Sequence, residues 1–267
     1  MITFPREYAS VQDLLDMKDN VKKAIDELPA KKTILVTGDS WAAGEWDETK
    51  GDKKEQFEWR NTHSTGWYLE QLTGYNVINM PNPGWDDIES CCTLNQIGHL
   101  ADYIIFFKTC GLRSVQHEHH EGRTIKFGFD LKNFKYKNVI KHGLAVNHVI
   151  YDVLKKYESK LILLGGLNKI ARTGLDLKTI YTLPSIIEFF DHNAKDTEVF
   201  GWEYMWDFYK EEVKGDKEYG ESLLFMMDVF AEKKRYLSSR PDLYWPDGKH
   251  PNAKAHELLA KHIAEKI

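Results

Sequence analysis

With 267 residues, 42% of them hydrophobic and 29% charged, the chain has the composition of a globular protein with room for a sizeable core. A formal net charge of −5, a pI near 6.1 and the lack of a long basic stripe exclude a nucleic-acid binder that works by neutralising phosphates. Three cysteines, Cys91, Cys92 and Cys110, exclude a disulfide framework and read as reduced, mostly buried thiols in a reducing compartment.

From Met1 to Glu7 no basic segment leads into an apolar one, so no signal peptide is visible, and no apolar run approaches a membrane span. The sequence thus reads as that of a cytoplasmic protein with no membrane partner. Residues 10–28 have the spacing of an amphipathic helix. Ser10 can cap it, Asp13 follows three residues on, and Val11, Leu14, Leu15, Val21, Ile25 and Leu28 share a side before Pro29 ends it. The run Thr33-Ile34-Leu35-Val36-Thr37 then predicts a strand buried on both faces, as in a parallel sheet. Gly38 gives the backbone freedom to turn, so that Ser40 projects from the strand's carboxyl end, where open α/β sheets bind ligands. Residues 45–61 are rich in charge, with Trp46, Phe57 and Trp59 interleaved, and read as a surface loop beside that turn.

A helix over 65–72 leads to a second strand, Tyr75 to Met80, broken by Pro81-Asn82-Pro83-Gly84-Trp85. Asp86 or Asp87 can cap the next helix, which carries Ile88, Cys91, Cys92 and Ile97. A third strand, Tyr103 to Phe107, stops at Lys108-Thr109-Cys110-Gly111, and residues 112–142 are irregular. A helix over 144–157 feeds a fourth strand, Leu161 to Leu164, which ends at Gly165-Gly166. Residues 167–218 break the alternation and read as an aromatic-rich helical insertion. A helix over 223–236, a faint fifth strand at Leu243-Tyr244 and a closing helix over 252–267 complete the chain. Strands alternating with helices imply one α/β domain over 1–267, with a doubly wound parallel sheet of about five strands.

The chemistry-bearing residues lie at the two ends. A serine at a strand's carboxyl end is a candidate nucleophile if a base can reach it. Trp245-Pro246-Asp247-Gly248-Lys249-His250-Pro251-Asn252, just before the last helix, sets Asp247 three residues from His250 across a glycine. The carboxylate can accept from one imidazole nitrogen, which leaves the other free to take a proton from a serine. His117-Glu118-His119-His120 carries metal-type side chains but fits no zinc spacing, and reads as a solvated loop. Gly165-Gly166 lacks both the phosphate-loop lysine and the dinucleotide fingerprint. Trp41, Trp46, Trp85 and Trp245 all fall near these segments and predict an aromatic-walled cleft suited to sugar rings or an acyl chain.

Together, Gly38-Asp39-Ser40, Asn79-Met80-Pro81-Asn82-Pro83-Gly84 and Asp247-Gly248-Lys249-His250-Pro251-Asn252 resemble the first, second and last signature blocks of the GDSL/SGNH hydrolases. The resemblance spans about 31–267 and implies a flavodoxin-like three-layer sandwich and a serine esterase that needs no metal or cofactor. It implies Ser40 as nucleophile, His250 as general base and acid, and Asp247 as the residue that orients His250. The oxyanion would sit against the backbone N–H groups of Ser40 and Gly84. The third block departs from the family pattern. Cys110, a poor donor, stands where the family's oxyanion asparagine is expected, which leaves the Thr109 hydroxyl or the Arg113 guanidinium as substitutes. Loss of one such donor costs roughly a hundred- to thousandfold in rate. The implied substrate is a small acyl ester, such as O-acetyl on a carbohydrate. The departure also keeps open a non-catalytic carbohydrate- or partner-binding module on the same fold. Gly38 to Glu45 and the Thr109-x-x-x-Arg113 spacing are similar to SGNH-like proteins encoded by large bacteriophages.

Overall fold

All five side chains of β2 (Thr33–Thr37) are buried, as its unbroken run of apolar and β-branched residues requires. In the computed structural model this strand lies at the centre of a parallel sheet. The structure describes residues 1–3, 11–44, 53–83, 85–108, 118–120, 123–125, 136–166, 170, 177–191, 236–245 and 250–267. In chain order the elements run β1 (Ile2–Thr3), α1 (Val11–Asp26), β2, α2 (Ser40–Ala43), α3 (Lys53–Thr62), α4 (Thr65–Thr73), β3 (Asn76–Asn79) and α5 (Asp87–Ile97). There follow β4 (Tyr103–Lys108), β5 (Glu118–His120), β6 (Arg123–Ile125), α6 (Tyr136–Lys155), β7 (Leu161–Gly165), β8 (Tyr181–Leu183), α7 (Ile186–Phe190) and α8 (Ala253–Ala264).

Six strands pair in the order β1-β3-β2-β4-β7-β8, each neighbour parallel to the next. Leaving out the two-residue edge strand β1, this is the flavodoxin-like order 2-1-3-4-5. The switch point, where successive crossovers diverge, therefore falls between the carboxyl ends of β2 and β4. Side chains alternate across the sheet to make two cores. Ile34, Val36, Val77, Ile105, Phe107, Ile162 and Leu164 face Leu69 of α4 and Leu259, Ala260 and Ile263 of α8. Leu35, Ile78, Ile104, Phe106, Leu161 and Leu163 face Val21 of α1, Cys91, Leu94 and Ile97 of α5, and Ile150 and Leu154 of α6. Three layers result.

Four sequence expectations are corrected. The sheet has six strands rather than about five: β1 and β8 join it, and β8 arises inside the stretch read as a helical insertion. Leu243-Tyr244 is not a sheet strand, because Tyr244 makes only an isolated antiparallel bridge to Pro251. The charged stretch 45–61 is not all loop, since its second half forms α3, whose strong helix formers override its polarity. Residues 112–142 are not irregular throughout, as they include the β5–β6 pair and the first turns of α6. The helix expected over 223–236 lies, but for Tyr236, outside the described residues. No described helix is long and apolar enough to cross a membrane.

Candidate active site

The turn after β2 is fixed from below by packing. Gly38 has φ +148°, and a Cβ there would lie 2.6 Å from the Phe107 Cβ and 3.0 Å from the Phe107 carbonyl oxygen, so β4 admits no side chain at this position. Asp39 caps α2. Its Oδ1 accepts from the Trp41 N–H at 2.9 Å, while its carbonyl accepts from the Ala42 and Ala43 N–H groups at 3.1 and 3.2 Å. Ser40 is thereby the first residue of a capped helical turn at the sheet's switch point, 7% exposed. The loop after β3 closes on the same turn: the Asn82 N–H donates to the Gly38 carbonyl at 3.0 Å.

The described residues on either side of 246–249 are joined by backbone bonds that set where His250 emerges. The Trp245 N–H donates to the His250 carbonyl at 2.8 Å, and the Asn252 N–H donates to the Leu243 carbonyl at 2.9 Å. Asn252 then caps α8, its Oδ1 accepting from the Ala255 N–H at 3.0 Å. Between these bonds, the Tyr244 ring sits 6.1 Å from the Trp41 indole, both side chains 2% exposed. The neighbour of Ser40 and the base of the His250 loop thus form one buried contact. Ser40 makes no side-chain hydrogen bond among the described residues, and none joins it to His250. Gly84, Thr109, Cys110, Arg113 and Asp247 lie outside the described residues.

The Tyr244 hydroxyl is buried with no hydrogen-bond partner among the described residues, and burial pushes its pKa up. A buried hydroxyl left in that state costs free energy that a phenyl ring does not. Tyr244→Phe is therefore expected to raise stability by about 1 kcal/mol in urea unfolding, while keeping the contact with Trp41.

A second histidine stands behind the site. His256, on the first turn of α8, is buried, with Nδ1 2.9 Å from the Thr65 hydroxyl. Burial, reinforced by the nearby His250, lowers its pKa from 6.5 to about 3, against a small opposing pull from the Gly44 carbonyl. The unfolded imidazole takes up a proton below 6.5 and the folded one does not, so stability falls as pH drops from 6.5 towards 3, by about 1.4 kcal/mol per unit. Unfolding free energies at pH 7 and pH 5 should differ by about 2 kcal/mol from this group alone. His256→Asn should remove that part of the difference.

Lys108 ends β4 and turns towards the α5 face, where its Nζ donates to Asp87 Oδ2 at 2.9 Å. The two side chains are 3% and 0% exposed. The pair ties the strand leading into the third block to the helix that follows the second block, across the switch point. Reading the sequence missed it, because a lysine closing an apolar strand gives no sign of a partner 21 residues earlier. The Trp41–Tyr244 contact was likewise not legible. Trp41 and Trp85 are buried, so neither walls a cleft as expected. Of the two described cysteines, Cys91 is buried and Cys92 is exposed. Among the described residues, no three His, Cys, Asp or Glu side chains gather as a metal site.

No protein-family model matches the chain, and no curated protein matches it significantly. Solved structures do match. A protein from Desulfitobacterium hafniense assigned to the G-D-S-L family of lipolytic proteins aligns at 10% identity over 88% of this chain and 99% of its own, with a TM-score of 0.38. A catalytic mutant of an acetylxylan esterase from Geobacillus stearothermophilus aligns at 15% identity over 90% and 95%, with a TM-score of 0.41. A protein from Bacteroides fragilis described as an acylhydrolase aligns at 14% identity over 98% and 97%, with a TM-score of 0.39. At these identities and TM-scores the likenesses assign no activity to this chain.

Proposed function

We propose that the chain is a serine ester hydrolase of the GDSL/SGNH type. The observation that carries this reading is the placement of Ser40. It heads a capped turn at the switch point of a flavodoxin-like sheet, with the His250 loop anchored to its neighbour through Trp41 and Tyr244. In the proposed reaction His250 takes the Ser40 proton as Oγ attacks the acyl carbonyl, and a tetrahedral oxyanion forms. The alcohol then leaves with the proton from His250, and water repeats the sequence to release the acid and free Ser40. Asp247 holds the imidazole in the tautomer this needs. The oxyanion is assigned to the N–H groups of Ser40 and Gly84, with the Thr109 hydroxyl or the Arg113 guanidinium in place of the family's asparagine.

None of these steps draws on a metal or a cofactor. The proposed substrate is a small acyl ester, with O-acetyl groups on a carbohydrate as the leading class. Incubation with 4-nitrophenyl acetate and with an acetylated xylo-oligosaccharide tests the reading. Catalytic release of acetate from either is the expected result. Saccharide binding with no acetate release from either ester would overturn it in favour of a non-catalytic binding module.

A further inference from the structure

A small cleft, partly open to solvent, lies at the carboxyl ends of β1 and β3. Its walls are α3, the end of α2 at Ala43 and the loop carrying Asn82 and Pro83. Two of these walls also bound the proposed active site. Ala43 is three residues along α2 from Ser40, a rise of about 4.5 Å, and the Asn82 N–H is bonded to the Gly38 carbonyl. Ser40 does not itself line the cleft, so a ligand held there would lie about one turn of α2 from it.

The helix α3 presents Phe57, Arg60 and Asn61 to this cleft, at the i, i+3 and i+4 spacing of one helical face. Lys54 and Glu58, which do not line the cleft, form an exposed pair 3.8 Å apart. The backbone of α3 is held close to the site, since a Cβ on Gly44 (φ +116°) would lie 2.2 Å from the Arg60 carbonyl oxygen. The Arg60 guanidinium is partly desolvated, and this lowers its pKa from the ordinary arginine value. Five donors in a planar fork let it serve a ligand alongside contacts within the protein. The neighbouring amides of Asn61 and Asn82 suit sugar hydroxyls, and Phe57 and Pro83 offer apolar faces to a ring.

We propose that this cleft is a specificity subsite for the alcohol portion of the substrate, and that it takes a sugar bearing an anionic oxygen group, a carboxylate in the first place, on Arg60. The inference rests on the hydrolase reading and names its substrate class more narrowly. The test compares kcat/KM for O-acetylated glucuronic acid, its methyl ester and acetylated glucose 6-phosphate. Wild type should prefer the free acid over the methyl ester by roughly ten- to a hundredfold, as a charge-assisted bidentate contact allows. Arg60→Gln should bring that ratio to about one, with thermal unfolding checking that the variant is folded. Arg60→Lys, which keeps the charge and loses the fork, should lower the ratio several-fold. Lys54→Gln, at a residue of α3 that does not line the cleft, should keep it.

A ratio near one in wild type, or one that survives in folded Arg60→Gln, overturns the assignment. So does a gain confined to the sugar phosphate. If no ester is turned over, the hydrolase reading fails separately, and calorimetry with glucuronic acid against glucose decides the subsite. Tighter glucuronate binding that Arg60→Gln removes supports it, and equal binding overturns it.

Discussion

Ser40→Ala should lower kcat/KM on a small acetyl ester by at least about a thousandfold, with His250→Ala comparable and the double variant little worse than either. Without Oγ no acyl-enzyme forms. Without the imidazole the hydroxyl keeps its proton at neutral pH. Because the two groups act as one unit, their losses do not add. Stability should separate this effect from a folding defect. Ser40 makes no side-chain hydrogen bond among the described residues, so removing the hydroxyl should shift the unfolding free energy by no more than about 0.5 kcal/mol. Steady-state assays paired with urea unfolding check both halves. Either single variant retaining a tenth of wild-type activity would contradict the proposed roles.

The largest stability effect is expected from Lys108→Met. The ammonium lies 2.9 Å from a carboxylate that is 0% exposed, and its removal leaves the Asp87 charge in the core without that counter-charge. Breaking a buried pair from one side typically costs about 3–5 kcal/mol, a large share of the 5–15 kcal/mol by which domains are stable. Replacing both partners by apolar residues removes the two desolvation costs together, so Asp87→Leu with Lys108→Met should recover most of the loss. Chemical unfolding of the wild type, the two single variants and the double variant measures the coupling. If the loss in the double variant equals the sum of the single losses, the pair is not the link described.

The central strands were legible because burial on both faces leaves only apolar and β-branched residues to read, as in Thr33–Thr37 and Leu161–Gly165. Helix ends were legible where side chains supply the cap: Asp86 accepts from the Ile88 and Glu89 N–H groups, and Asn252 accepts from Ala255. Edge elements were not. β1 has two residues and β8 three, too short to show alternation, and both are placed by pairing with a neighbour that sequence alone does not reveal. Leu243-Tyr244 looked like a strand because it is apolar, but its backbone bonds serve the His250 loop and its tyrosine packs on Trp41. α3 was hidden by its charge, although the 57, 60, 61 spacing was there to be read.

At the candidate site, the motifs around Ser40 and His250 were legible at the two ends of the chain, and the fold packs Trp41, beside Ser40, on Tyr244 at the base of the His250 segment. What could not be read was the support beneath them. The close approach of Gly38 to Phe107, the buried Lys108–Asp87 pair and the Trp41–Tyr244 contact each join residues far apart in the chain. None leaves a local spacing pattern.

The central claim, that Ser40 is an activated nucleophile, is tested most directly by a fluorophosphonate probe and peptide mass mapping. Oγ should displace fluoride and carry the phosphonyl group, so the adduct should map to the peptide containing Ser40 and be absent from Ser40→Ala. Equal labelling of wild type and Ser40→Ala, or ester turnover by a wild type that takes no label at Ser40, would contradict it.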